Sequence, residues 1–152
     1  RFHVGQSVMF GQQIGWINAD VIDDEEKMTY LRRMCQMRYE FKDYFNYGKM
    51  LRPPKTNDFI PTFVTDSAIG FSDVSEAPLI LSSSWEKDGN TVMLITNCDK
   101  KEYTLAYDAP FDSYDEIKYY GQGKVLPVVG SKIKITIAPE SAIAIIKKAR
   151  ED

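Results

Sequence analysis

The chain has 152 residues, 43% hydrophobic and 27% charged, with 22 acidic against 19 basic side chains and a formal net charge of -3. That length suits one ordinary domain, or a small domain with an extra piece, and is too short for a complete (β/α)8 barrel of about 250 residues. The acidic balance leaves no cationic field to neutralise phosphates, and no long apolar run exists, which argues against nucleic acid or a membrane as partner.

The chain opens Arg1-Phe2-His3-Val4-Gly5, already apolar and without a charged leader, which reads as a cut edge and not a natural beginning. Residues 4–16 mix Val8, Met9, Phe10, Ile14 and Trp16 with Gly5, Gly11 and Gly15, and predict a buried strand and loop in which glycines permit close backbone approach. Asp23-Asp24-Glu25-Glu26 follows, with Asp23 as helix cap, Glu26 at capping-box spacing and the acidic turn at the positive end of the dipole. From Met28 the apolar residues recur as Leu31, Met34, Cys35, Met37, Phe41, Tyr44 and Phe45, which predicts one long amphipathic helix ending before Gly48. Its apolar arc is wide, so the helix must press on the following domain, a missing body or a second copy through residues 28–45.

Paired prolines at Pro53-Pro54 mark a boundary, giving segments 1–52 and 53–152. Beyond it the texture turns to β-rich runs at 59–65, 79–85, 91–96, 103–107, 117–120, 132–137 and 142–147. The expected fold class is therefore mainly β: an antiparallel sandwich of about seven strands, preceded by a strand/loop and the helix. Asp88-Gly89 and the polar run 97–101 predict hairpins, Lys132-Ile133-Lys134-Ile135-Thr136-Ile137 alternates, and Ala142-Ile143-Ala144-Ile145-Ile146 predicts a central strand.

Little of the sequence points to chemistry. Two cysteines, Cys35 and Cys98, without a CxxC or Cys/His cluster offer no metal site, and whether they pair is open. His3 is the single histidine, which leaves Ser-His-Asp and Cys-His relays without a base in the body of the chain. The acids are accounted for as helix start, hairpin and loop residues, so no catalytic residue and no cofactor is expected. Two groups remain as candidate ligand contacts. Trp85, Tyr119 and Tyr120 supply ring faces for an oligosaccharide, or else fill the core, and one of the adjacent tyrosines must be exposed. Gln12 and Gln13 beside Trp16 line a polar-ligand site, or else satisfy a buried turn.

Gly-Gln-Ser-Val-Met-Phe-Gly-Gln-Gln-Ile-Gly-Trp at residues 5–16, Leu31-Arg32-Arg33, Arg38-Tyr39, Tyr44-Phe45 and the run from Gly48 to Pro54 together resemble the end of the barrel in a group of bacterial glycoside-hydrolase-like proteins. Trp85-Glu86-Lys87-Asp88-Gly89 resembles the first hairpin of the β-sandwich that follows that barrel. The resemblance implies that residues 5–16 are the last barrel strand and loop, 23–45 the last barrel helix, and the remainder an accessory sandwich that supports a catalytic barrel without being catalytic alone. It also implies that Gln12, Gln13 and Trp16 approach the sugar site and that the catalytic acids lie upstream; whether the parent is exported is open. A carbohydrate-binding module and a self-associating interaction domain are the alternatives.

Overall fold

The computed structural model describes residues 1–15, 17, 19–65 and 75–150. Among these residues four helices come first: α1 (Phe2–Met9), α2 (Ala19–Ile22), α3 (Glu25–Glu40) and α4 (Lys42–Tyr47). Ten strands follow: β1 (Lys49–Met50), β2 (Thr62–Thr65), β3 (Ser75–Pro78), β4 (Ile80–Lys87), β5 (Asn90–Asn97), β6 (Tyr103–Asp108), β7 (Glu116–Tyr120), β8 (Gly123–Val125), β9 (Lys132–Ile137) and β10 (Ala142–Lys147). They form a five-stranded sheet in the order β1-β4-β5-β10-β7, a three-stranded sheet β6-β9-β8 and the hairpin β2-β3, and every pairing is antiparallel.

The five-stranded sheet is covered on both faces. In the register Ala144↔Leu94 and Ile143↔Ile95, successive residues of β5 and β10 enter different cores. Val92, Leu94, Ala142, Ala144 and Ile146 pack with Met9, Tyr30, Met34, Met37 and Phe41 of the helical layer. Met93, Ile95, Ile143 and Ile145 pack with Leu105, Ile133, Ile135 and Ile137 of the second sheet. A strand buried on both sides needs a continuous apolar run, which β10 has, whereas β9 is buried on one face and alternates lysine with isoleucine. The molecule is thus a β-sandwich carrying a helical layer on its larger sheet.

The first segment departs from expectation. Residues 4–16 do not begin as a strand: Phe2–Met9 is helical, because Val4 and Val8, one turn apart, lie on the face that packs against the sheet. The glycines retain the close-approach role. A Cβ on Gly5 would lie 2.7 Å from the Tyr30 hydroxyl and 2.9 Å from the Cys98 sulfur, so only glycine lets α1 settle there. Gly11 ends the helix at φ 68, with Gly11 N donating to Val8 O at 3.0 Å and Gln12 N to Ser7 O at 2.7 Å, the two bonds of a Schellman motif.

The expected single helix is two. Its cap is Asp24, one residue later than expected, whose carboxylate accepts from Lys27 N at 3.0 Å. At Phe41 the backbone leaves helical geometry (ψ 16), its ring remains buried, and α4 restarts in a new direction toward β4. The wide apolar arc is covered by the chain's own sheet: Met34 and Met37 are fully buried.

Two polar devices hold edges in place. The outer edge of β6 is covered by the segment after the prolines, with Asp108 N donating to Lys55 O at 2.7 Å and Ala106 N to an Asp58 carboxylate oxygen at 2.6 Å. At the opposite side, Glu40 ties α3 to β7, accepting from Tyr120 Oη at 2.8 Å, Lys118 Nζ at 3.0 Å and, through its other oxygen, Gln36 Nε2 at 2.9 Å. Burial pushes the Glu40 carboxyl up, but these hydrogen bonds and the Lys118 charge outweigh it and hold it below its ordinary 4.5.

Met34→Ala is expected to lower the unfolding free energy by about 2–5 kcal/mol while far-ultraviolet dichroism and tryptophan fluorescence still report one transition. Separate helical and sheet transitions in denaturant would contradict the shared core. A carboxyl whose folded pKa lies below its unfolded one stabilises the fold above the unfolded value and ceases to as pH falls through the folded one. Glu40→Gln should therefore cost about 1 kcal/mol at neutral pH. Urea midpoints should show that deficit shrinking below pH 4.5, where the wild-type carboxylate takes up its proton.

Candidate functional site

The structure separates the residues singled out as ligand contacts. Trp85 is 6% exposed, packs edge-to-face on Phe45 at 5.3 Å between centroids, and donates from Nε1 to Ser83 Oγ at 3.1 Å. It is a core residue and offers no stacking face, because α4 and the turn at Gly11 cover the side of β4 that carries Leu81, Ser83 and Trp85. Tyr120 is 3% exposed, its hydroxyl bound to Glu40, whereas Tyr119 points the other way and is 43% exposed. The adjacent pair thus splits as strand geometry requires. Gln12 and Gln13 are exposed, and the Gln12 carbonyl accepts from Arg38 Nε at 2.9 Å. Trp16 lies outside the described residues. Strands β5 and β10 stand between Trp85 on β4 and the tyrosines on β7, a separation of about 14 Å across three strand spacings. Among the described residues no single pocket gathers them.

What does assemble is a groove on the outer surface of the helical layer, an open cavity of about 420 Å³ lined by Gln13, Ile14, Cys35, Arg38, Tyr39 and Lys42. Cys35, Arg38, Tyr39 and Lys42 recur at helical spacing and so share one side of α3 and the start of α4. The guanidinium of Arg38 lies over the Phe45 ring at 5.1 Å, and Lys42 Nζ over the Tyr39 ring at 4.5 Å. Elsewhere on the layer, Lys27 is paired with Asp20 and Asp24, and Arg32 with Glu25. Arg38 and Lys42 have no such pairing among the described residues. Sequence reasoning reached Gln13 but missed the cations. The signal was there in the Arg38–Lys42 spacing, which placed both where no acid stands three or four residues away; Glu40, two residues from each, points elsewhere and is engaged by β7.

Glycoside cleavage by paired carboxylates needs one acid raised toward neutrality. The carboxyls whose titration is displaced, Asp24, Glu40 and Asp115, all move down; the backbone N–H of Lys27 leads for Asp24, and that of Lys148 for Asp115. Both cysteines are free thiols. Cys98 is buried with its sulfur 3.3 Å from the Tyr30 hydroxyl, and burial pushes both thiols up, away from the thiolate. A second cavity, of about 310 Å³, lies between α1, α2 and α3 beside Arg1, His3 and Tyr30. No group of three metal-ligating side chains occurs among the described residues, and no described helix is long and apolar enough to cross a membrane.

No protein-family model and no curated protein sequence matches the chain. Solved structures do. A GH51 arabinofuranosidase from Xanthomonas axonopodis pv. citri superposes with a TM-score of 0.50 at 12% identity, over 76% of this chain and 26% of that one. An Anoxybacillus alpha-amylase gives 0.48 at 12% identity over 85% and 24%, and a GH30 endoxylanase from Clostridium papyrosolvens C71 gives 0.46 at 11% over 77% and 28%. The likeness is one of fold. The chain spans about a quarter of the length of these enzymes. Residues 53–152 are about two-thirds of the sequence, so a match over 76% of it extends into the helical layer.

Trp85→Ala is expected to cost about 3–5 kcal/mol of stability, as for a core aromatic, and Tyr119→Ala to stay within about 0.5 kcal/mol of the parent. Chemical denaturation of the two variants checks both; a small loss at Trp85 would reopen it as a surface ring.

Proposed function

We propose that the chain is the C-terminal part of a glycoside-hydrolase-like protein, with the helical layer in residues 1–52 lying against a catalytic barrel and residues 53–152 forming the accessory sandwich that supports it. The observation that carries this reading is the unit itself. The helical layer shares a core with the larger sheet of the sandwich, and the fold shared with the arabinofuranosidase takes in part of both. The motifs between Gly5 and Pro54 that resemble the end of such a barrel lie in that same helical layer. A layer anchored by Met34, Met37 and Phe41 on one side and bearing an open groove on the other suits a rigid joint between a barrel and a sandwich.

In this role the chain binds and positions, and does no bond-breaking of its own. Its displaced carboxyls serve as a helix cap (Asp24), a helix–strand tie (Glu40) and a partner for β10 and the residues after it (Asp115). The reading predicts no turnover of chromogenic glucosides, xylosides or arabinofuranosides by the purified chain. It predicts turnover by the longer protein encoded with the sequence upstream of Arg1. Hydrolysis by the chain alone, abolished by replacing one of its own acids, would overturn it, as would an upstream frame that encodes no βα units.

A further inference from the structure

The groove beside α3 carries an inference about what docks there, and it rests on the reading of the chain as part of a longer glycoside-hydrolase-like protein. Its walls are apolar and aromatic, from Ile14 and the Tyr39 ring, and Tyr39 is 70% exposed. Its two cations are held in place without a carboxylate. Arg38 is fixed by the Gln12 carbonyl and the Phe45 face, which leaves its terminal nitrogens to receive a planar anion, and Lys42 rests on Tyr39. Acids are not scarce, since the chain has 22 against 19 basic residues, yet among the described residues none lines this groove. Arg38 near the end of α3 and Lys42 at the start of α4 line the same groove, and so present two positive charges to one docked surface.

We propose that this groove seats an amphipathic helix of the catalytic body, whose apolar stripe lies on Ile14 and Tyr39 and whose acidic residues pair with Arg38 and Lys42. Charge complementarity selects this occupant. A neutral sugar would leave both cations unanswered, and the desolvation of an unanswered cation opposes closure over it.

Cys35 lines the same groove, is exposed and is a free thiol, so it reports occupancy, with buried Cys98 as internal control. The test compares iodoacetamide labelling of Cys35, read by mass spectrometry, in this chain and in the longer protein. Labelling is expected to slow by about tenfold or more in the longer protein. The double variant Arg38→Glu, Lys42→Glu should return it to within about twofold of the free chain, because like charges then face each other. Arg38→Gln, Lys42→Gln guards against misfolding and should give an intermediate rate with unchanged Cys98 protection. Equal labelling in both proteins, or protection indifferent to charge reversal, overturns the groove proposal and leaves the glycoside-hydrolase reading standing. A longer protein without a catalytic barrel removes both. Protection in the short chain alone that rises with its concentration assigns the groove to a second copy and overturns the proposal.

Discussion

The packing of β5 and β10 on both faces is the constraint from which the rest of the architecture follows. At the centre of the larger sheet these strands present two different surfaces. On the helical side β10 offers Ala142 and Ala144, short side chains that leave room for the bulky Tyr30, Met34 and Met37. On the other side it offers Ile143 and Ile145, which meet the isoleucines of β9. Exchanging the two sets by a register slip would put isoleucine under the methionines and alanine opposite isoleucine, overfilling one core and emptying the other.

Burying a sheet this deeply requires its polar groups to be satisfied internally. Thr96 shares a hydrogen bond with the Tyr30 hydroxyl at 2.9 Å, linking α3 to β5 through the core. Asn97 donates to the carbonyls of Lys101 at 2.7 Å and Ala138 at 3.0 Å and accepts from Asp99 N at 2.9 Å, so one amide fixes the turn after β5 against the end of β9. The polar residues of the protein are chiefly adhesive. They stitch helix to sheet and turn to turn, and the helical layer keeps its unanswered charge on the outward face.

Much of this was legible in the sequence where a pattern had one cause. The lysine–isoleucine alternation of β9 follows from burial on a single face, and the unbroken apolar run of β10 from burial on two. Less was legible where two causes overlap. The glycine-rich apolar stretch at the start resembles a strand by composition, yet its glycines serve a helix: one for close approach at Gly5, one for the left-handed stop at Gly11. The break at Phe41 is invisible because the apolar spacing continues through it. Strands β1 and β8, two and three residues long, are too short to carry a period. Trp85 was ambiguous because three serines precede it, so β4 shows no alternation to tell which face is covered. Tyr119 and Tyr120 needed only strand geometry, whereas the groove needed the helix break and the chain reversal at Gly11, neither of which the spacing reveals.

The position of β10 has a consequence for synthesis. Strand β10 follows the other described strands in sequence yet lies between β5 and β7, so the larger sheet cannot close until residue 147 has emerged. Until then the helices have only the β4–β5 hairpin and β7 to rest on, and the methionine and aromatic side chains that meet Ala142, Ala144 and Ile146 stay uncovered. Such late closure lengthens the window for misassembly, and it makes β10 the keystone of the domain: its loss would release both cores at once.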